Sequence, residues 1–264
     1  MKEINEQLGK LSGKKHIILT PSGDKAIEAA FSLIKGKKVI VPDQGAWFSY
    51  KKIPLKYNYE IEEVKTNLGI IDTEDLKKKS EDADTIIYQQ PGGYFAFQKI
   101  EEIFNVCKEK KIILDITGCI GTDKYNSKFC DMVVCSFGKW KPIEAGYGGF
   151  LAFDDDSLLE EAKKFEEFDN QYENKVSEQI KSLKEKYDFY SRISTKVKRD
   201  LYDLDIIHPT HNGINVIVRF YNEEEKERII NYCKQNELEF TLCPRYIRVM
   251  TDAISIEIKR LKVK

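Results

Sequence analysis

Ser136-Phe-Gly-Lys-Trp-Lys-Pro-Ile-Glu-Ala-Gly-Tyr-Gly-Gly149 lies between two apolar runs, Met132–Cys135 and Phe150–Phe153. Runs of this length predict two buried strands, so the stretch between them is predicted to be a loop at the end of a sheet. The loop contains Lys139 and Lys141, and a buried ammonium group is costly unless it is paired or neutralised. The loop is therefore either solvated, or it carries an amine that condenses with an aldehyde. This stretch alone favours neither interpretation.

The composition bounds the class and setting of the chain. Its 264 residues suffice for one large domain and a smaller second one. The net charge of −1 provides no general attraction for nucleic acid or anionic lipid, so neither partner is expected. No apolar run reaches the roughly 20 residues that cross a bilayer, and residues 1–6 lack the apolar core of a signal peptide. The six cysteines form no Cys-x-x-Cys pair, which predicts reduced thiols and a cytoplasmic location.

Strand and helix patterns alternate from residue 16 to residue 153. Short apolar runs predict strands at 16–20, 39–42, 60–64, 85–89 and 111–115, and helical spacing predicts helices at 25–35, 72–79 and 100–108. This alternation is typical of a three-layer α/β/α domain with a mostly parallel, mixed sheet. Ligands of such sheets bind beyond the C-terminal ends of the strands.

Several chemically useful residues follow predicted strands, and they are expected to meet at one edge of the sheet. These residues are Gly23, Gln90, Asp115 and the loop 136–141. Because the Ser22-Gly23-Asp24 turn opens a helix, its free backbone N–H groups suit a phosphate. Asp24 is equally a candidate for the helix cap.

The composition changes near residue 154, which predicts a second unit over residues 154–264. Residues 154–203 are rich in Lys, Glu and Asp and predict one or two long helices with a solvated face. Further strands are predicted at 214–220, 239–242 and 246–250, with a helix at 223–236, so this unit is a small α+β domain. Residues 1–15 are predicted to form an N-terminal arm or short helix. His208 and His211 have no acidic or cysteine partner nearby, so we predict a plain loop and no metal site.

Together these motifs resemble the fold-type-I enzymes that use pyridoxal 5′-phosphate, in the aspartate aminotransferase superfamily. They are most similar to the sugar aminotransferases of the DegT/DnrJ/EryC1/StrS type. That group has an Asp, a Ser five residues later, the Schiff-base Lys five residues after that, and a Gly-x-Gly-Gly tail. Asp131, Ser136, Lys141 and 146–149 fall in this spacing. Other branches place the lysine three residues after the serine, which would select Lys139.

The resemblance implies a role for each of the other motifs. Asp115 would pair with the pyridine nitrogen, and Gln90 would bind the cofactor phenolate. Ser22, Gly23, Asp24 and Ser136 would hold the phosphate, and Lys139 would supply positive charge beside it. Trp47 or Phe48 would stack on the ring, although core packing is the more common role for either aromatic. Arg248 would bind the substrate carboxylate, with a surface arginine as an equal alternative.

The implied activity is an aminotransferase that acts on a small-molecule amino donor and a keto acid or keto sugar. Two alternatives stay open at this point. One is a lyase, desulfurase or decarboxylase of the same fold, for which Cys119 would be the nearest candidate thiol. The other is a non-catalytic homologue of these enzymes. Because active sites of this superfamily usually form between two subunits, the resemblance also implies a homodimer.

Overall fold

The computed structural model describes residues 2–262. Within this range the strands are, in chain order, β1 His16–Thr20, β2 Lys38–Pro42, β3 Glu60–Val64, β4 Thr66–Asn67, β5 Ile70–Ile71, β6 Thr85–Gln89, β7 Lys111–Asp115, β8 Met132–Ser136, β9 Gly149–Phe153, β10 Asp205–Ile206, β11 Val216–Arg219, β12 Phe240–Cys243 and β13 Ala253–Ile256. The helices are α1 Lys2–Ser12, α2 Gly23–Leu33, α3 Thr73–Ser80, α4 Ile100–Val106, α5 Leu159–Ala162, α6 Glu173–Lys181, α7 Leu183–Asp200 and α8 Glu223–Gln235. None of the helices in this range is both long and apolar enough to span a bilayer.

The main sheet has seven strands in the order β1-β9-β8-β7-β6-β2-β3 within the described part of the chain. β9 runs antiparallel to both of its neighbours, and the pairs from β8 to β3 are parallel. The other strands therefore all point one way, and their C-terminal ends lie along one edge. This mixed, mostly parallel sheet with helices on its faces confirms the predicted α/β class.

Both faces of the main sheet are buried, which explains why its strands are nearly continuous apolar runs. In β8, Val133 and Cys135 pack into one core, and Met132 and Val134 pack into the other. Helix α2 covers the second core, whereas α1, α3 and α4 cover the first. The predicted N-terminal arm is the helix α1, whose Ile4 is fully buried in the first core.

A second sheet, in the order β10-β11-β13-β12, packs against α7 and α8 around its own core. This is the small C-terminal domain that the sequence predicts, although the boundary at residue 154 stays a prediction. The charged segment that follows β9 forms three helices, α5, α6 and α7, rather than the one or two long helices predicted, and α7 is the long one.

The prediction of a strand at 246–250 is wrong, because these residues form a turn. The Arg248 N–H donates to the Arg245 carbonyl and the Arg245 N–H donates to the Val249 carbonyl, at 2.8 and 2.7 Å. The strand instead begins at Ala253. The alternation of polar and apolar residues suggested a strand, but the buried ion pair of Arg248 with Glu257 holds the segment in a turn.

Candidate active site

A cavity of about 410 Å³ lies at the C-terminal edge of the main sheet. One wall comes from the N-terminus of α2, the ends of β7 and β8 and the lysine loop, and the other comes from the C-terminal domain. Its lining residues are Gly23, Asp24, Ile27, Trp47, Tyr94, Asp115, Thr117, Val134, Cys135, Ser136, Gly138, Lys139, Trp140, Lys141, Thr241, Arg245, Ile247, Arg248, Lys259 and Arg260. A cavity of this size is in the range of cofactor and substrate sites.

The two lysines of the loop have different surroundings. The Lys141 ammonium donates a hydrogen bond to the Tyr94 hydroxyl, and its Nζ lies 5.4 Å from the centroid of the Trp47 ring. Lys139 is exposed, and its Nζ lies 4.3 Å from the centroid of the Trp140 ring. Lys141 is therefore the lysine whose amine is held among cavity residues by a hydrogen bond.

Asp115 is a buried carboxylate at the end of β7. Its oxygens accept hydrogen bonds from the Tyr50 hydroxyl at 2.6 Å and from the Thr117 N–H at 2.8 Å. Burial raises the pKa of Asp115, while the Thr117 and Tyr50 hydrogen bonds and the Lys141 charge act in the opposite direction. A cationic group in the cavity would therefore stabilise the ionised carboxylate.

The N-terminus of α2 and the start of the lysine loop form a narrow cradle. A Cβ atom at Gly23 would lie 2.6 Å from the Cβ atom of Ser136, so only glycine fits this approach. The Ser136 hydroxyl accepts a hydrogen bond from the Gly138 N–H at 3.2 Å. Because the first N–H groups of a helix lack partners within the helix, this cradle suits an anion. Ser22 instead caps α2, since its hydroxyl accepts from the Lys25 N–H at 3.2 Å.

Asp24 and the aromatic residues differ in part from the sequence prediction. The Asp24 carboxylate does not cap the helix but accepts a hydrogen bond from the Trp47 indole N–H at 2.7 Å. This bond orients the Trp47 ring in the cavity wall. Phe48 lies outside the cavity lining, where it is 41% exposed and packs on Tyr246.

Gln90 is buried but is not one of the residues that line the cavity. Its amide nitrogen donates to the Lys124 carbonyl at 2.6 Å, and its oxygen accepts from the Gln98 N–H at 2.8 Å. Because both ends of the side chain are already bonded, Gln90 stabilises the loop rather than facing the site. The residue that reaches Lys141 is Tyr94, which sequence reasoning missed, and its φ of +72° is rare for an aromatic side chain.

Arg248 lines the cavity but is already part of an ion pair. Its guanidinium donates to the Glu257 carboxylate at 2.7 and 2.9 Å, and Lys259 donates to the same carboxylate at 2.6 Å. Arg248 and Lys259 also lie 5.2 and 4.4 Å from the centroid of the Tyr94 ring. The sequence offered one weak signal for this cluster, namely the charged residues Glu257 and Lys259 soon after the buried strand β13.

Comparison with known proteins connects this geometry to a family. A model of the DegT/DnrJ/EryC1/StrS aminotransferase family matches residues 1–195, and a model of the MJ1341 family C-terminal domain matches residues 171–264. A search of curated proteins found no significant match.

Among solved structures, Helicobacter pylori PseC, an aminotransferase involved in the biosynthesis of pseudoaminic acid, is similar at 16% identity and a TM-score of 0.79. That comparison covers 97% of this chain and 85% of that one. The E. coli GDP-4-keto-6-deoxy-D-mannose-3-dehydratase with bound hydrated PLP matches at 14% identity and a TM-score of 0.78, over 99% of this chain and 88% of that one. These structural likenesses establish the fold.

The family match rests on more than half of the chain and includes the Gly23 cradle, Asp115 and the lysine loop. The chain therefore belongs to the DegT/DnrJ/EryC1/StrS aminotransferase family and is a pyridoxal-phosphate-dependent transferase.

Proposed function

We propose that the protein moves an amino group between an amino acid and a keto acid or keto sugar, with Lys141 holding the cofactor covalently. The observation that supports this most is that the Lys141 amine, the Asp115 carboxylate and the Gly23 cradle all line one cavity. An amine, a buried acid and an anion recess are the three features that pyridoxal phosphate requires of a site.

The residues of the cavity fit the cofactor. The α2 N-terminus at Gly23 and Asp24, with the Ser136 hydroxyl, would hold the phosphate, and the Trp47 ring would flank the pyridine ring. Lys139 would add positive charge at the mouth. When bound, the cofactor accepts the electrons released as a bond to the substrate α-carbon breaks.

The protein's own groups would then direct proton movement. The ionised Asp115 carboxylate would hold a proton on the ring nitrogen, since the Tyr50 and Thr117 hydrogen bonds fix its orientation. The Lys141 amine would take a proton from the substrate α-carbon as general base and deliver it to the C4′ carbon of the cofactor as general acid. The Tyr94 hydroxyl would keep that amine directed into the cavity.

The substrate carboxylate would be bound by Arg248 with Lys259 beside it. Arg248 and Lys259 share the single carboxylate of Glu257, and burial together with the Arg248 charge lowers the pKa of Lys259, so a positive charge on Lys259 has no counter-charge of its own. A substrate carboxylate would balance that charge. Arg248 would therefore bind the substrate carboxylate while its guanidinium stays paired with Glu257, and not as an unpaired guanidinium that is free to move.

The structure gives one argument against a desulfurase. Cys119 is only 2% exposed and does not line the cavity, and burial raises the pKa of its thiol well above the usual range. A desulfurase needs an accessible thiolate near the cofactor. The aminotransferase is therefore better supported than a desulfurase.

Purified protein mixed with pyridoxal phosphate tests the proposal. We expect visible absorbance from the covalently held cofactor, followed by its loss and the release of a keto acid when amino acids from a panel are added. Release of carbon dioxide or sulfide without a keto acid would favour the alternative reactions. If the protein keeps no absorbance after excess cofactor is added and the free cofactor is removed, a non-catalytic homologue is favoured.

Asp115→Asn tests the role of the buried acid. We expect the rate of amino transfer to fall by roughly 10²–10³-fold, because the stabilising charge is lost where it is needed in the transition state. Cofactor affinity should change much less than the rate. Asp123→Asn is the control, since Asp123 is 85% exposed and lies outside the cavity. An equal effect of both substitutions would contradict the role of Asp115.

We also propose a homodimer in the cytoplasm. The family expectation of shared active sites supports the dimer, and the six free, buried cysteines fit a reducing compartment. Sedimentation of the purified protein would test the dimer.

A further inference from the structure

Gln90 is not placed to bind the phenolate oxygen of the cofactor, although the resemblance assigns it that role. Both ends of its side chain are bonded within the protein, to the Lys124 carbonyl and the Gln98 N–H, and the residue does not line the cavity. A phenolate without a hydrogen-bond donor is costly in a partly enclosed site. Another group of the cavity wall must therefore supply the donor.

Tyr94 presents a hydroxyl group to this cavity from the same loop as Gln90. The residue is 5% exposed, and its hydroxyl accepts the hydrogen bond of the Lys141 ammonium. Within residues 2–262 the Tyr94 O–H has no acceptor, so this buried hydroxyl keeps one donor unused. The phenolate oxygen and the aldehyde group are on neighbouring carbons of the cofactor ring. A hydroxyl that contacts the Lys141 nitrogen is therefore within reach of the phenolate.

Contacts from the C-terminal domain hold Tyr94 in place. Its carbonyl accepts hydrogen bonds from the Ile214 and Asn215 N–H groups, at 2.9 and 3.2 Å. The Lys259 Nζ and Arg248 Cζ atoms lie 4.4 and 5.2 Å from the centroid of its ring. The φ of +72° is rare for an aromatic residue and persists only where the surroundings impose it. The position of the hydroxyl is therefore fixed by the fold before the cofactor binds.

Two other uncharged donors of the cavity wall are engaged elsewhere. The Trp47 indole N–H donates to the Asp24 carboxylate at 2.7 Å. The Thr117 hydroxyl accepts from the Ser136 N–H at 3.0 Å and also bonds to the Asp115 carboxylate. Neither donor is free for the phenolate.

We propose that the Tyr94 hydroxyl donates the hydrogen bond to the phenolate oxygen of the cofactor, in the role that the resemblance assigns to Gln90. This inference rests on the proposed function, because it requires Lys141 to hold the cofactor. A donor at the phenolate draws negative charge away from the proton that the phenolate shares with the Lys141 nitrogen. Tyr94 therefore lowers the pH at which the loaded protein gives up this proton.

Two related cofactors test the assignment without any turnover. Equilibrium dialysis would compare the affinities of the unmodified protein and of Tyr94→Phe for pyridoxal phosphate and for its analogue that lacks the 3-hydroxyl group. Tyr94→Phe should weaken the binding of pyridoxal phosphate by about tenfold to hundredfold, since a hydrogen bond to a charged oxygen is lost. It should change the affinity for the analogue by less than about threefold, because that compound has no phenolate.

The pH midpoint of the visible absorbance is a second readout. In the loaded protein, Tyr94→Phe should raise this midpoint by about 1–2 pH units, because the phenolate then holds the shared proton more strongly. A hydroxyl that only positions the free Lys141 amine would leave the midpoint unchanged. Tyr202→Phe is the control, since Tyr202 is 81% exposed and lies outside the cavity, and it should change neither readout.

Three results would overturn the inference: equal weakening of both compounds by Tyr94→Phe, an unchanged pH midpoint, or a loss that depends on the 3-hydroxyl group in Gln90→Ala and not in Tyr94→Phe. Each of them contradicts this inference alone when the unmodified protein keeps its absorbance after free cofactor is removed. If the unmodified protein keeps none, the proposed function fails together with the inference. If Tyr94→Phe does not fold by circular dichroism, Tyr94→Gly, which accepts the positive φ, replaces it with the same expectation.

Discussion

Lys141→Ala is expected to remove the visible absorbance that the protein keeps after free pyridoxal phosphate is removed, and to lower the rate of amino transfer by about 10²–10⁴-fold. The expected loss is large because one amine both holds the cofactor and moves the proton. In the structure this amine is held by the Tyr94 hydroxyl beside the buried Asp115 carboxylate. Absorbance spectra and single-turnover rates of the variant would measure both effects.

Lys139→Ala is the matched control for Lys141→Ala. Lys139 comes from the same loop, but its side chain is exposed and lies against the Trp140 ring. We expect this variant to keep the absorbance and to lose affinity for the cofactor by a smaller factor. If Lys139→Ala loses the absorbance and Lys141→Ala keeps it, the lysine is assigned wrongly and the family branch with the shorter spacing applies.

Glu257→Gln is expected to lower the free energy of unfolding by about 3–5 kcal/mol. Glu257 is almost fully buried and is the shared partner of Arg248 and Lys259. Its replacement by a neutral amide would leave the buried Arg248 guanidinium without a counter-charge and would remove the carboxylate that favours the charged form of Lys259, whose pKa burial lowers. Urea unfolding of the variant and of the unmodified protein at neutral pH would give the difference.

The pH dependence of this difference follows from the pKa of Glu257. The Lys259 and Arg248 charges hold that pKa far below its ordinary value of 4.5, despite burial. A carboxylate whose pKa is lower in the folded state than in the unfolded state stabilises the folded state at any pH above the ordinary pKa. This stabilisation is lost as the pH falls toward the folded-state pKa. The difference in the free energy of unfolding between the variant and the unmodified protein should therefore be largest above about pH 5 and should decrease as the pH falls below that value.

Glu239→Gln is the control for Glu257→Gln. It removes a carboxylate from the pair with Arg260, but Glu239 is 59% exposed, and exposed pairs contribute about 0–1 kcal/mol. A loss of less than about 1 kcal/mol for Glu257→Gln would show that the buried cluster does not stabilise the fold as its contacts suggest.

The strands of the main sheet could be predicted from the sequence because both faces of the sheet are buried. A strand such as β7 or β8 must be apolar at every position, and a short apolar run bounded by polar residues is a clear pattern. The turn at 246–250 could not be predicted from the sequence, because Arg248 is buried in an ion pair with Glu257, which lies nine residues away and outside the segment. The alternation of polar and apolar residues within a short segment does not predict an ion pair with a residue outside that segment.

The sequence predicted residues of the candidate site only where they follow the C-terminal ends of parallel strands. Gly23, Asp115, Ser136 and Lys141 line one cavity for this reason. The hydrogen bonds of Lys141 with Tyr94 and of Asp24 with Trp47 depend on how separate loops pack. Their geometry follows from the tertiary structure and has no local sequence pattern.

Mass mapping after borohydride reduction would test the central claim, that Lys141 holds the cofactor. Reduction of the protein mixed with pyridoxal phosphate fixes any covalent link, and proteolysis then shows which peptide carries the added mass. A single modified site at Lys141 is expected. Modification at Lys139 or at the buried Lys259, or none in the folded protein at excess cofactor, would contradict it.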